Sequence, residues 1–430
     1  MSSRKEGVEE KTKGFLDIPK QNFPSNIVCL ATAEWEGTHF SYHHATEEFA
    51  RRGFRVVYVS PPVDLARSLK ALFKKRTAKP LMKWLKRINI FKKPKKLEKN
   101  FLIAPGLPLL LGFGFWGIVD YLNRKLVFWS LKRLVQKLNM DEYILYTDMC
   151  PLTKIKDELC KLLVYECGDD FSILTSIPKR RLRLKDLERR MLKQVDLFFV
   201  TSRSLFSEKS KISPHGFYLP LSIDFNRFNR HRENRDLEKS LQGLGGPLIG
   251  LLSGMSNLKI DWDTLYYAAF HRPDYKFILA GRVDGKAPEA LANLKNVFFL
   301  GPQEEEDIST LLQGFDVGLI PFNRNFFGDH AFPTKMPEYL FFGMSVVSTD
   351  IPNLREYEDI IEIARDKEEF AKKIDKCLTE NHDKRSWEKR KRVAKRFSKE
   401  QRAEEILEKM KNIWELKFPD TQNKIGVSKP

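Results

Sequence analysis

The sequence predicts an α/β protein of two doubly wound, Rossmann-like domains facing a cleft. Two observations carry that prediction. Short apolar runs alternate with helix-periodic stretches before residue 225, and a second such series follows a polar, glycine-rich stretch ending near residue 246. Strand–helix alternation of this kind is the mark of a parallel sheet with helices on its faces. The length of 430 residues leaves room for two or three domains.

In chain order, the polar segment Met1–Gln21 has no apolar core of a secretory signal and reads as a loose tail over 1–25. "IVCLA" (Ile27–Ala31) is the first expected strand, and Tyr42, Ala45, Phe49 and Ala50 then fall at helical spacing. Gly53 ends that helix and Val56–Val59 begins the next strand. "EYILYT" (Glu142–Thr147), "KLLVYEC" (Lys161–Cys167) and "VDLFFVTS" (Val195–Ser202) read as further buried strands, giving an N-terminal domain over 26–225. A linker is expected over 226–246. The second domain, 247–380, has strands "LIGLLSG", "KFILAG", "VFFLG", "VGLIPF" and "SVVST", the last at Ser345–Thr349. Charged helices over 381–416 are expected to cross back to the first domain, with a tail at 417–430. In such sheets ligands bind beyond the carboxyl ends of the strands, so the cleft is the expected site.

Composition excludes a disordered chain, a collagen-like fibre and a polytopic membrane protein, since 42% of residues are hydrophobic and 31% charged. Five cysteines without a CxxC pair suit reduced thiols in the cytoplasm. The net charge of +18 points to an anionic partner: nucleic acid, anionic lipid or a phosphorylated substrate. Arg67–Asn100 holds 14 basic residues against one acid, Glu98, so 13 of those charges sit in one stretch. There, Leu81, Trp84, Leu85 and Ile88 make an apolar stripe opposite Lys83, Lys86 and Arg87. A short basic amphipathic helix with Trp suits an anionic membrane surface, and also a solvated face over a core stripe. Phe101–Val119 is 19 uncharged residues, but Pro105, Pro108 and four glycines interrupt it. It reads as a partly exposed apolar loop adding membrane anchorage, not as a spanning helix. The expected membrane-facing insert is therefore 65–120.

The stretch "PTKMPEYLFFGMSVVSTDIP" (Pro333–Pro352) carries the most chemistry. Pro333 and Thr334 open a helix, Lys335 and Glu338 share its first turn, and Gly343 ends it before a buried strand. A helix amino end beside a lysine suits a phosphate, and a carboxylate one turn in can accept two hydrogen bonds from a ribose diol. The same pair also reads as a solvated lysine and a carboxylate complementing the helix dipole.

That stretch resembles the "P-x-K-x-x-E-Y-L-A-x-G-x-P-V-V-S-T" segment of retaining glycosyltransferases of the GT-B fold, broadly family 4 (group 1). "GFDVGLIPF", "FILAGR", "VFFLGP", "VTSRSL" and "LPLSIDFNRF" resemble other segments of that family in the same order. "GTHFSYHHATEEFARRGFRVVYVSPP" resembles its acceptor-domain opening, and "YECGDDFS" a "YDCxDDxS" turn of a subgroup acting on bacterial surface polysaccharides. The resemblance covers about residues 26–380. It implies that 26–225 binds the acceptor and 247–380 the nucleotide-sugar donor. It further implies that Glu338 binds the donor ribose and that Pro333, Thr334 and Lys335 lie at the diphosphate. His330 stands where many members carry the motif's first glutamate; it reads as a sugar or pyrophosphate contact, a second-layer group or a loop histidine. The family's arginine after the first donor-domain strand is missing from "SGMSNLKIDWDTL". Lys259 is the nearest cation there, Gly254 offers close backbone approach, and Arg282 follows another strand end.

For the acceptor side, Asp169 and Asp170 follow a strand end and are candidates to orient an acceptor hydroxyl, or an Asx-turn pair. His43 is the candidate base among His39, His43 and His44, with packing or surface positions as the other reading. The resemblance implies sugar transfer from a nucleotide-diphosphate sugar to a glycan or polyprenyl-linked acceptor, with retention. No cofactor and no metal are expected, because cations can stabilise the leaving diphosphate and no DxD-type acidic pair flanked by strands stands in the donor half. The expected setting is cytoplasmic, peripheral on the inner face of the membrane, in cell-surface polysaccharide synthesis and without nucleic acid. A GT-B sugar epimerase, a non-catalytic relative and a basic membrane- or nucleic-acid-binding protein are the other readings.

Overall fold

The computed structural model describes residues 23–36, 39–65, 94–149, 160–168, 170, 175, 177–230, 234–325, 328, 332–380 and 383–419. Lys83, Trp84, Lys86, Arg87, Asp169 and His330, and most of both expected tails, lie outside these residues.

Two parallel sheets form the molecule. The N-terminal sheet comprises β1 (Asn26–Leu30), β2 (Arg55–Val59), β3 (Lys95–Glu98), β4 (Phe101–Ala104), β5 (Ile144–Thr147), β6 (Leu162–Cys167), β7 (Leu197–Val200) and β8 (Gly216–Tyr218). Its order is β8-β7-β6-β5-β1-β2-β4-β3, and every neighbour is parallel except β3 with β4. The C-terminal sheet contains β9 (Leu248–Leu252), β10 (Lys276–Ala280), β11 (Val297–Gly301), β12 (Val317–Ile320), β13 (Ser345–Thr349) and β14 (Glu362–Ala364). Its order is β11-β10-β9-β12-β13-β14, all parallel. The central strands are apolar and buried end to end, as strands covered by helices on both faces must be.

The expected apolar loop at Phe101–Val119 is not a loop throughout. Phe101–Ala104 is β4, paired in parallel with Val56–Val59. Pro108–Leu109 pairs with Val63–Asp64, and Gly117 opens helix α2 (Gly117–Lys137), which follows α1 (Ser41–Arg51). Phe101, Leu107, Leu109 and Phe113 are buried in the protein's own cores. Proline and glycine here punctuate a strand, a bridge and a helix start. Among the described residues, no helix is long and apolar enough to cross a membrane.

Two chain segments join the lobes and lie side by side. The Ile223 amide donates to the Phe397 carbonyl (2.7 Å) and the Lys399 amide donates to the Ile223 carbonyl (3.1 Å). Ile223, Phe225 and Phe228 already belong to the C-terminal core, so that lobe begins inside the sequence assigned to the first domain. Helix α5 (Lys399–Lys417), the last described, buries Ala403, Ile406, Met410 and Ile413 in the N-terminal core beside Ala45 and Phe49 of α1. Lys399, fully buried, reaches Glu47 at 2.9 Å and Asp224 at 3.3 Å, tying α5, α1 and the crossover together. Across the cleft, Arg203 just after β7 pairs with Glu356 just after β13 at 2.7 Å, so the carboxyl ends of the two sheets face each other.

Candidate functional site

The C-terminal sheet reverses its winding between β9 and β12, so the loops after these strands flank a crevice. Side-chain amides lace the two loops together. Asn323 Nδ2 donates to the carbonyls of Asn257 and Ile260, each at 2.9 Å, and Asn325 Nδ2 to that of Leu258 at 2.8 Å. The Asn323 amide donates to the Lys259 carbonyl at 2.9 Å. Lys259 is thereby fixed at the crevice, its Nζ 4.8 Å from the centre of the Phe322 ring. Burial, followed by the charge of Lys335, lowers its pKa to about 8, and no carboxylate among the described residues pairs with it.

The helix carrying Glu338, α4 (Lys335–Phe341), is held from below by Tyr339. That ring lies over β12 at Gly318, where a Cβ would sit 2.6 Å from it, and its hydroxyl accepts from the Leu252 amide at 2.9 Å. Gly343, at φ +75°, ends the helix, and its Cβ position is filled by the Trp387 indole. Helix α3 (Arg227–Arg230) from the crossover docks beside α4. Phe225 stacks on Phe341 at 4.5 Å, and Phe228 meets Phe342 edge-on at 5.2 Å. The aromatic pairs on either side of Arg227 place its guanidinium against Glu338.

Glu338 is 3% exposed. Its Oε2 accepts from Lys335 Nζ at 2.7 Å, and Arg227 Nη2 lies 2.8 Å from Oε1. Both carboxylate oxygens are thus engaged by cations. Arg227 also lies 3.9 Å from the exposed Glu305, so three cations against two carboxylates leave this corner net positive. The amino end of α4 adds less than a regular helix start, because Pro337 has no amide hydrogen and the Met336 amide donates to the Pro333 carbonyl (3.1 Å). Thr334 is half-buried and makes no side-chain cap.

Gly254 is exposed, with open space where a Cβ would point. Arg282 ends up on the same carboxyl edge, exposed and committed to Asp284 at 2.9 Å. Among the described residues no three His, Cys, Asp or Glu side chains gather as a metal-binding group.

In the N-terminal lobe, His43 is corrected from candidate base to packing residue. It is fully buried; its Nδ1 accepts the Phe40 amide (3.0 Å), and its Nε2 contacts Tyr58 Oη (2.8 Å) and the Glu34 carbonyl (3.1 Å). Burial and the neighbouring His39 lower its pKa to about 4, so the ring stays neutral without a face toward the cleft. His44 is also buried, 3.0 Å from Ser222 Oγ at the crossover. Asp170 lies half-buried, 3.9 Å from Lys185.

Sequence reasoning missed Arg227, whose only signal was its place in "LPLSIDFNRF". It also missed Asp148, the residue after β5, which is 3% exposed. On the outer side of this lobe, α2 and the turn before it expose Trp116, Ile118, Tyr121, Leu122 and Trp129. Cations lie over that face: Arg133 is 5.2 Å from the Trp129 ring and Lys125 5.8 Å from Tyr121.

Comparison with known proteins agrees with this geometry. Residues 253–380 match the family model "Glycosyl transferases group 1". The putative teichuronic acid biosynthesis glycosyltransferase TuaH of Bacillus subtilis is 24% identical over 250 residues, 54% of this chain. The match spans 62% of that relative's length. The sucrose-phosphate synthase structure from Thermosynechococcus elongatus superposes with a TM-score of 0.59 at 13% identity, covering 91% of this chain and 100% of that one. Anabaena Alr3699/HepE in complex with UDP-glucose gives 0.58 at 14% identity, over 90% and 99%. The two facing Rossmann-like lobes are the fold of these solved structures, and the donor-side segment, residues 253–380, is similar to the group 1 glycosyltransferases.

Proposed function

We propose that this protein transfers a sugar from a nucleotide-diphosphate sugar to a glycan or lipid-linked glycan acceptor, with retention and without a metal ion. The observation that carries the proposal is the cationic corner at the C-terminal switch point: Lys259, Lys335 and Arg227 about the buried carboxylate of Glu338, with the exposed Glu305 3.9 Å from Arg227. Breaking a sugar–phosphate bond develops negative charge on the leaving diphosphate, and cations already fixed in a partly dry crevice stabilise that charge without reorganising. Lys259, with no carboxylate partner, is the phosphate ligand, and Lys335 turns from Glu338 toward the arriving diphosphate. That movement frees Oε2 to accept from the ribose diol while Arg227 holds Oε1. Structural neighbours described with UDP or UDP-glucose support a nucleotide-sugar donor.

The acceptor reading rests on the N-terminal lobe. The exposed aromatic and cationic face of α2 suits the interfacial region of an anionic membrane, where Trp and Tyr rings sit beside basic side chains. This supports a peripheral enzyme reaching a polyprenyl-linked acceptor. Likeness to TuaH supports a role in cell-surface polysaccharide synthesis.

The test is a thermal-shift panel of UDP-, GDP-, dTDP- and ADP-glucose. A ligand at a hundredfold excess over its Kd stabilises the fold by about 2.7 kcal/mol. One member of the panel is expected to raise Tm by several degrees, and Glu338→Ala to abolish that rise. A flat panel in the wild type contradicts the donor reading.

A further inference from the structure

The two chain segments that join the lobes meet side by side, at Ile223 and at Phe397–Lys399. A joint of that kind fixes where the lobes meet and leaves the angle between them to a few backbone dihedrals. A third tie stands off the joint. Glu356, in the short 3₁₀ turn Pro352–Tyr357 that follows β13, reaches the other lobe with both carboxylate oxygens. Its Oε2 accepts from Arg203 Nη2 at 2.7 Å, and its Oε1 accepts from Tyr218 Oη at 2.9 Å. Arg203 also donates its amide to Asn353 Oδ1 at 3.2 Å, and its guanidinium lies 4.2 Å from the centre of the Tyr218 ring. Arg203 opens the helix after β7, and Tyr218 ends β8, the neighbouring strand.

Neither charge is explained by its own surroundings. Arg203 is the first residue of the helix Arg203–Lys209, where a cation opposes the helix dipole, and Glu356 stands in the last turn of its own segment, where a carboxylate does the same. Their side chains are 58% and 31% exposed, so the pair adds little to the stability of either lobe. A term of that size does matter between two lobe arrangements that lie close in energy. The tie also reaches the donor segment. Tyr357, next to Glu356, meets Phe332 edge-on at 6.2 Å and Phe397 at 5.8 Å, and Phe332 stacks on Phe397 at 5.5 Å. Phe332 directly precedes Pro333, and Phe397 belongs to the joint. The three rings fasten the tie, the joint and the start of the Glu338 segment to one another.

We propose that Arg203 and Glu356 are positioning residues for the sugar transfer: their bond sets the angle between the lobes at which a donor in the C-terminal crevice lies against the N-terminal lobe. The inference rests on the donor reading above, and neither residue touches the donor. Its signature is a split between binding and turnover. The crevice lies within the C-terminal lobe and keeps its affinity when the tie is broken, while the reaction slows because the second lobe no longer stands at the right angle.

The experiment compares the full chain as wild type, as Arg203→Glu, as Glu356→Arg and with both changes together. Small-angle X-ray scattering reads the lobe angle, and calorimetry reads affinity for the panel nucleotide sugar that binds best. Release of the nucleoside diphosphate at saturating donor, with water in the acceptor's place, reads turnover. Each single change sets like charges against each other across the cleft. Both single variants are expected to show a larger radius of gyration, unchanged donor affinity and turnover lower by about fivefold or more, the scale of one half-exposed ion pair. The double variant is expected to recover the wild-type radius and turnover, a rescue that a merely structural role does not produce. Scattering from both single variants that superposes on wild type overturns the tie. Undiminished turnover in variants whose radius has grown overturns the positioning role, and so does a loss that the double variant leaves in place. A wild type that binds no nucleotide sugar overturns the donor reading and the positioning role with it, and scattering then decides the tie alone.

Discussion

The two lobes share one architecture but advertise their chemistry in opposite ways. In the C-terminal lobe, where the proposed function puts the diphosphate, charge leaves a mark in sequence: Lys335 and Glu338 one turn apart, between a proline and a helix-ending glycine. To the N-terminal lobe the proposed function gives the acceptor, a partner rich in hydroxyl groups. At the carboxyl edge of its sheet Asp148 is 3% exposed and accepts from the Thr32 hydroxyl, an arrangement that neither residue type nor spacing announces. A site for charge can be read from residue type. A site for neutral polar groups is read from the fold.

Substitutions that separate holding the site from being the site sharpen this contrast. The largest effect belongs to Tyr339→Ala, which empties the space over Gly318 and releases α4 from the sheet. Chemical denaturation is expected to show a loss of about 3–5 kcal/mol, in the range for an aromatic deleted from a core. Tyr339→Phe, losing one hydrogen bond to the Leu252 amide, is expected to cost about 1 kcal/mol. Equal losses in the two variants would show that the ring does not support the helix.

Lys259→Met comes next, with opposite effects on binding and stability. The folded pKa, near 8, lies below the ordinary lysine value, so the unfolded chain holds more protons between about pH 8 and 10. Lysine's charge therefore burdens the fold fully below pH 8, and stability rises as pH increases through that window. Donor affinity runs the other way, falling as the charge is lost. Lys259→Met is expected to melt higher than wild type at pH 7, to bind donor about tenfold more weakly, in keeping with one charged hydrogen bond, and to lose the affinity change between pH 7 and 9. A variant less stable and equally tight would make Lys259 a surface group.

The smallest effect is expected on the outer face. Replacing Trp116 and Ile118 by serine removes exposed apolar surface that the proposed function sets against lipid, and alters none of the residues at the cationic corner. Flotation with vesicles of anionic and neutral lipid is expected to show preference for anionic vesicles in wild type and weaker binding in the variant. Equal, weak binding of wild type to both kinds of vesicle would remove the membrane from the account.

How much was legible follows the same division. The buried parallel strands could be read because apolar runs covered on both faces have few alternatives, as at Val317–Ile320 and Ser345–Thr349. Phe101–Ala104 was not recognised as a strand, since only its pairing with β2 separates it from an interrupted apolar loop. His43 looked chemical because histidine is often reactive, yet helical spacing cannot tell a face toward the cleft from a face toward Tyr58. Arg227 depends on two aromatic contacts between distant segments, which no local pattern records. Asp148 did leave a trace, as the first acidic residue after a buried strand at a sheet's carboxyl end, a position the α/β rule marks.

The most direct test is calorimetric titration of wild type and Glu338→Ala with the best-binding nucleotide sugar, with circular dichroism confirming that both are folded. The account predicts saturable heat in wild type and none in the variant. Wild-type affinity in folded Glu338→Ala would contradict it, because the ribose and the cations would then be held by something other than this carboxylate.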